Sequence, residues 1–321
     1  MMVADPQAIG SLVDVGIPTF GEPRFLAEAI ESVLSQTFTG WQLTISENGP
    51  GSAAVAAVVE PYLADPRVRY VTTGANLGGP RNSTRLIQSG SAPYVALLHD
   101  DDRWAPEFLE RRVAFLDANP SCGLVFSVAN LIDDRGSVIH RFKVRLPAGM
   151  QERRRFLRAL YVHNFIGFLT ALVRRRCYKA VGPEFDDNLV FYDYEMWLRI
   201  ASRCDVGYLG GIADSLYRIH SGQTTYEIEG SVGEHRLALL DAADEILPAD
   251  FPSTDRRRAR SAALLRVAYD SLERGDRRRA AAHLRAALRQ YPIALLDPRL
   301  AALALVSIWR RTVLRRAWGR S

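Results

Sequence analysis

The sequence predicts an α/β protein, a mainly parallel sheet flanked by helices and followed by a C-terminal helical region. Three observations predict it. Short apolar runs of strand length alternate with longer segments of helical apolar spacing. Polar residues and glycines gather in the turns after those runs, where open parallel sheets bind ligands. From Ser231 onward only helical signals remain, which divides the chain into residues 1–228 and a basic helical region over 229–321.

Composition narrows the class. The chain has 321 residues, 48% hydrophobic and 24% charged, the balance of an ordinary soluble globular protein with a sizeable core. Cys122, Cys177 and Cys204 show no metal-type spacing, so a reducing cytosol and no disulfide framework are expected. The Met1 end lacks a basic start followed by an apolar run, so no signal peptide is expected. The net charge of +5 is uneven: from Phe251 onward 17 Arg or Lys face 5 Asp or Glu, whereas the preceding residues carry 24 against 31. A polybasic tail attracts anionic lipid heads or nucleic acid, but an arginine-rich solvated helix face is the commoner explanation. Nucleic-acid binding is not expected, because the basic excess is confined to the tail and no recognised module accompanies it.

Taken in order, Leu12–Ile17 reads as the first strand, and Pro18-Thr-Phe-Gly breaks it. A helix follows from Pro23, with Phe25, Leu26, Ala29, Ile30, Val33 and Leu34 as its apolar stripe. Trp41–Ser46 is the second strand, closed by the glycine-containing turn Glu47-Asn-Gly-Pro-Gly-Ser. Ala53–Leu63 is helical, Val68–Val71 is the third strand, and Gly74–Asn82 is a glycine-rich turn into another helix. That helix start, with Gly78-Gly79 before it and Arg81 beside it, suits a diphosphate.

The fourth strand, Tyr94–Leu98, is apolar throughout and ends in His99-Asp-Asp-Asp102, after which Trp104-Ala-Pro-Glu opens a helix. Three successive carboxylates repel one another, so a site that keeps them ionised supplies a cation, which suggests Mg²⁺ or Mn²⁺ holding a phosphorylated ligand. The plainer reading is a solvated loop in which Asp102 caps the helix. Right-handed crossovers bring Thr19, Glu22, Glu47, Asn76, Arg81 and Asp100–Asp102 to one rim of the sheet.

Later signals are sparser. Cys122–Val128 reads as a strand, Gln151–Tyr161 as a basic helix, and a helix starts near Tyr192 with Tyr194, Trp197, Leu198 and Ala201 as its buried face. Asp193 and Glu195 point roughly 200° apart on that helix, so only one can face a cleft. Glu195 has Arg199 four residues on as a partner, which leaves Asp193 as the cleft residue, with the helix dipole as its plainer reason to exist. Ser215–His220 is a last strand whose terminal His220 could complete a carboxylate-bound cation, meet a phosphate, or be an ordinary histidine. Arg258–Leu272 and Arg277–Arg289 form a helical hairpin. Leu300–Trp309 is apolar but too short to span a bilayer; with the arginines behind it, it lies on a membrane surface or packs on the rest of the chain.

The motifs Val15-Gly-Ile-Pro-Thr-Phe, Ile45-Ser-Glu-Asn-Gly, Asn76-Leu-Gly with Arg81-Asn82, Leu97-Leu-His-Asp-Asp-Asp-Arg-Trp, Tyr192-Asp-Tyr-Glu-Met-Trp-Leu-Arg and Tyr217-Arg-Ile-His together resemble the family 2 glycosyltransferases, an inverting group with the GT-A fold. The resemblance covers about residues 11 to 225. It implies that Pro18, Thr19, Glu22, Glu47, Asn76, Arg81 and Asp100 line a nucleotide-sugar site. It implies that Asp101 and Asp102 carry Mg²⁺ or Mn²⁺, that His220 faces the metal or diphosphate, and that Asp193 matches the catalytic base. It further implies a nucleotide-diphosphate sugar donor, a glycan, lipid-linked or small-molecule acceptor, and a cytoplasmic enzyme of glycan or envelope assembly, with peripheral membrane contact through the basic tail. Three departures stand out: His99 where the family's metal motif begins with aspartate, Tyr192 where an acid usually precedes Asp193, and Glu47 where aspartate is commoner. A sugar nucleotidyltransferase or an inactive scaffold relative are the alternatives.

Overall fold

The computed structural model describes residues 12–220, 222–223 and 228–294. Strands β1 (Val13–Thr19), β2 (Trp41–Glu47), β3 (Val68–Thr72) and β4 (Tyr94–Leu97) pair in parallel in the order β3-β2-β1-β4. Helices α1 (Leu26–Leu34), α2 (Ala53–Val59) and α3 (Gly79–Ser89) connect them. The second helix is shorter than expected. Beyond Val59 the chain tightens into a 3₁₀ turn over Glu60–Ala64, because Pro61 has no N–H to continue the α-helical ladder.

The chain then forms β5 (Arg103–Trp104), α4 (Phe108–Ala118), β6 (Cys122–Phe126), β7 (Ala129–Ile132), β8 (Val138–Arg141), β9 (Gly149–Met150), α5 (Arg153–Val162), β10 (Ala171–Arg174), α6 (Arg175–Val181), α7 (Tyr192–Arg203), β11 (Asp205–Tyr208) and β12 (Ser215–Arg218). Eight strands make one sheet, β3-β2-β1-β4-β10-β6-β11-β9, and β5-β12-β7-β8 make a smaller one. β10 runs antiparallel to both β4 and β6, so the sheet is mixed on that side. Apolar runs carry no direction, which is why the sequence pattern does not reveal this reversal.

Both faces of the main sheet are covered, so β4 is buried at all four positions. On one face Val13, Val15, Ile17, Leu43 and Val125 pack against Leu26, Ile30 and Val33 of α1 and Leu109 and Leu116 of α4. On the other, Val95, Leu97 and Leu124 pack against α3, α5 and α7 through Leu86, Leu160, Trp197 and Leu198. Each fully buried aliphatic side chain here contributes about 1.5–3 kcal/mol. Gly16 of β1 sits under α3, and a Cβ there would lie 2.7 Å from a Leu97 methyl carbon, closer than packing allows.

α8 (Val232–Ile246), α9 (Ser253–Glu273) and α10 (Arg277–Gln290) form the helical region, with the expected hairpin turn at Arg274–Asp276. It docks on the α/β part through Asp244, which accepts hydrogen bonds from the Tyr161 hydroxyl of α5 at 2.8 Å and from Arg260 of α9 at 2.7 Å. Gly233 of α8 meets α9 so closely that a Cβ would lie 2.5 Å from the Val267 nitrogen. Leu300–Trp309 and the arginines after it lie outside the described residues. No helix among the described residues is long and apolar enough to cross a membrane.

Two expectations are corrected. Cys177 of α6 and Cys204 at the end of α7 form a disulfide 27 residues apart in sequence, and Cys122 is the free, buried cysteine. No spacing motif announces this pair, because the packing of α6 on α7 brings the sulfurs together. The helix expected to open at Trp104 starts instead at Phe108, after β5 has paired with β12.

Candidate active site

The turns after β1, β2 and β3 meet at one rim. Thr19 ends β1 and its hydroxyl donates to Asp100 Oδ2 at 2.5 Å. Pro18 stands beside Ser46 in the β1–β2 register, whereas Glu22 is exposed in the loop that follows, near the equally exposed Phe20. Glu47 is buried at the end of β2 and accepts a hydrogen bond from the Tyr70 hydroxyl. Burial and the Glu47 carboxylate push that phenol up to about 12. Asn48 braces the turn before α3: its Oδ1 accepts the Leu77 N–H at 2.8 Å and its Nδ2 donates to Asn76 Oδ1 at 2.9 Å. Asn76 in turn accepts the Gly78 N–H at 2.9 Å, and Gly78 has φ +85°, a conformation that favours glycine. Arg81, in the first turn of α3, is exposed and paired with Asp187 from the loop before α7.

The acid loop lies between β4 and β5. Its plainer reading as a helix cap does not hold, since Asp102 is fully buried, its Oδ1 accepts the Arg218 N–H at 2.8 Å, and the cap position of α4 is Glu107. Asp102 Oδ2 is buried and accepts no hydrogen bond; the His99 ring Nδ1 stands 3.5 Å away. The Asp101 carboxylate meets His220 Nε2 at 3.0 Å. His220 Nδ1 accepts the Gly222 N–H at 3.2 Å, which places the ring proton on Nε2 and makes it the donor to Asp101. Ligand atoms of His99, Asp101 and Asp102 all lie within 4.8 Å of one another, a spacing that a divalent cation can bridge.

Electrostatics record the crowding. Burial, with the charge of Asp101 behind it, lifts Asp102 to about 7. Burial also lifts Asp100 to about 6, although the Thr19 hydroxyl opposes it. Asp101 goes the other way: burial works to raise it, but the bond to His220 and the charge of His99 hold it below the ordinary carboxylate value. Burial opposes a charge on His99, yet Asp102, Asp101 and Asp100 outweigh it and raise the imidazole to about 9.

Asp193 lies in the first turn of α7, and Glu195 is turned away to Arg199, 2.7 Å from its Nε, as the helical spacing requires. Burial lifts Asp193 to about 6, opposed by the Tyr194 N–H at 2.7 Å and by the charge of His99. Asp193 is therefore within electrostatic reach of the acid loop. An aromatic wall joins the two: His99 stacks on Phe168 at 4.2 Å, and Phe168 meets Tyr192 edge-on at 6.3 Å. Tyr192 reaches the diphosphate-type helix start, since a Cβ on Gly79 would lie 3.6 Å from its hydroxyl.

Residues 14–181 match the model for glycosyl transferase family 2. The chain belongs to that family. Among curated relatives, this family 2 member is 26% identical over 192 residues to an uncharacterized glycosyltransferase, MJ1057, of Methanocaldococcus jannaschii, covering 59% of this chain and 64% of that one. It is 24% identical over 202 residues to the amylovoran biosynthesis glycosyltransferase AmsE of Erwinia amylovora, covering 63% and 72%. The chain thus spans slightly less than two thirds of the first of these. Among solved structures it is similar to S. aureus TarS 1-349 in complex with UDP-GlcNAc, with a TM-score of 0.66 at 16% identity, covering 94% of this chain and 90% of that one. It is likewise similar to the mannosyltransferase PcManGT of Pyrobaculum calidifontis in complex with GDP-Man and Mn²⁺, with a TM-score of 0.60 at 18% identity, covering 99% and 90%. The fold is of the GT-A type these proteins share.

Sequence reading alone missed several members of the site. Asn48 was hidden inside a turn motif, and Phe168 sits in an apolar run that reads as core. His99 was visible as an oddity at the head of the acid triplet. Arg218, fully buried beneath the acid loop, stood inside the Tyr217-Arg-Ile-His motif, but the sequence assigned it no role.

Proposed function

We propose that this chain is an inverting glycosyltransferase that moves a sugar from a nucleoside-diphosphate donor to an acceptor hydroxyl. The observation that carries this reading is the aromatic wall His99–Phe168–Tyr192, which runs from the Asp100–Asp102 loop to the first turn of α7, where the half-buried Asp193 stands. Asp193 is the base: as the acceptor oxygen bonds to the anomeric carbon, its proton passes to the Asp193 carboxylate and the bond from that carbon to the diphosphate breaks. A well-placed base contributes about 10²–10⁴-fold. Pro18, Thr19, Glu22, Glu47, Asn76 and Asp100 line the nucleotide-sugar site, and Arg81 with the start of α3 takes the diphosphate.

Asp101 and Asp102 would hold Mg²⁺ or Mn²⁺ with the His99 ring as third donor, while His220, expected from the resemblance to meet the metal or diphosphate, has both ring nitrogens committed and instead orients the Asp101 carboxylate. The residues fit such an ion: Asp102 Oδ2 is a buried acceptor without a hydrogen bond, and the Asp102 carboxyl, lifted toward neutrality, regains its charge beside a cation. When bound, the ion supplies Lewis-acid stabilisation to the departing diphosphate.

The UDP-GlcNAc and GDP-Man held by the two similar structures support a nucleotide sugar as donor. The amylovoran biosynthesis relative, with the putative teichuronic acid biosynthesis glycosyltransferase TuaG of Bacillus subtilis, supports a glycan acceptor; a lipid-linked or small-molecule acceptor suits the same chemistry. Residues 1–228 form the catalytic unit and 229–321 a basic accessory region. Exposed Arg278, Arg285 and Arg289 recur along one face of α10, which supports peripheral contact with an anionic membrane surface.

The test is a panel of nucleotide sugars with candidate acceptors, read as nucleoside diphosphate released and anomeric configuration of the product. Release that requires acceptor, with an inverted product, is expected. Consumption of a nucleoside triphosphate with release of pyrophosphate would instead make the chain a nucleotidyltransferase.

A further inference from the structure

We propose that Arg218 is a positioning residue that presents Asp101 and Asp102 to the cation. The inference rests on the metal reading given above. β12 pairs antiparallel with β5, Leu216 opposite Arg103, so two residues further along the same register Arg218 falls opposite Asp101. Its side chain is fully buried, and every polar atom of the residue is committed. The backbone N–H holds Asp102 Oδ1 at 2.8 Å, and Nε donates to the Asp101 carbonyl at 2.9 Å. Nη1 donates to the carbonyls of Asp133 and Asp134, each at 3.2 Å, and Nη2 pairs with Glu28 at 2.7 Å. The carbonyl of the same residue accepts from Gln223 at 2.5 Å, and the guanidinium lies 4.1 Å from the Phe25 ring centre.

These bonds tie the acid loop, the β7–β8 turn and α1 to one rigid fork. Glu28 alone satisfies the charge of this buried cation, and the remaining donors are free to do something else. Here most of its donors go to backbone carbonyls, one of them in the acid loop, and the residue two positions on, His220, fixes the Asp101 carboxylate itself. A lysine has no fork and cannot span these points. Residues that orient ligands in this way typically change metal affinity 10–100-fold when replaced.

The experiment counts free Mn²⁺ by electron paramagnetic resonance, titrating the whole chain with Mn²⁺ alone and again with UDP or GDP, against protein-free controls. R218Q and R218K are compared with the parent, and melting temperature and nucleoside-diphosphate affinity without metal are measured alongside. R218K keeps a positive charge beside Glu28 on a stem of similar length, so it decides the matter where R218Q fails to fold. The expected result is Mn²⁺ affinity lowered about tenfold, metal-free nucleotide affinity unchanged, and the donor KM recovered by raising Mn²⁺. A folded R218K that binds Mn²⁺ like the parent overturns the inference and leaves the metal reading standing. A parent that leaves all Mn²⁺ free under every condition overturns the metal reading, and this inference with it.

Discussion

Asp101 and His220, 119 residues apart in the chain, meet at 3.0 Å, with the His220 ring proton fixed on the donating nitrogen by the Gly222 N–H on the other side. The pairing holds a carboxylate that burial would otherwise push toward neutrality. Removing the ring should therefore be felt at the cation. H220A is expected to raise the Mn²⁺ requirement of transfer about 10-fold or more, with H220Q, which keeps a donor to Asp101, recovering part of it. H220A with a parental Mn²⁺ dependence would show that the pair has no part in holding the ion.

Asp193 sets an expected pH limb. Burial lifts it to about 6, so the base is lost as pH falls through that value, and kcat/KM should drop about tenfold per unit below it. Stability runs the opposite way. The folded carboxyl binds its proton more tightly than the unfolded one, so ionised Asp193 destabilises the native state above pH 6, and the penalty vanishes as pH falls toward 4. Chemical denaturation of metal-free D193N should show a gain of about 3 kcal/mol over the parent at pH 8, shrinking toward zero near pH 4. A gap independent of pH would mean that Asp193 is not lifted.

Arg81 is held by Asp187 where the donor's diphosphate is proposed to bind. An exposed pair of this kind is worth at most about 1 kcal/mol. D187N should accordingly tighten donor binding about two- to fivefold, and R81Q should weaken it about tenfold. Isothermal titration with a nucleoside diphosphate reads both; unchanged affinity in R81Q would take Arg81 out of the donor site.

The Cys177–Cys204 bond closes a 27-residue loop that contains α7 and hence Asp193. On chain-entropy grounds it stabilises the fold by about 3.5 kcal/mol. C204S, or the parent in reductant, is expected to melt several degrees lower. Identical melting with and without reductant would show that the bond contributes nothing.

Much of this was legible in the chain. β1 to β4 announce themselves by apolar runs, and the right-handed crossover rule alone brings Thr19, Glu47, Asn76 and Asp100 to one rim. Asp193 could be told from Glu195 because helical geometry forces the two apart and Arg199 claims one of them. Features set by pairing between distant segments stayed hidden. The reversal of β10, the β5–β12 register that places Arg218 under Asp101, and the Cys177–Cys204 contact all depend on how remote elements pack, and no local period encodes them. Pro106 misled for the same reason: the long-range β5–β12 pairing takes Arg103 and Trp104 before the helix can begin.

The central claim is that Asp193 faces the acid loop across the reaction centre. Turnover by D193N beside its affinity for the nucleotide sugar tests it most directly. The account predicts donor affinity within about twofold of the parent and transfer reduced by at least about 10²-fold. Parental turnover by D193N would contradict it.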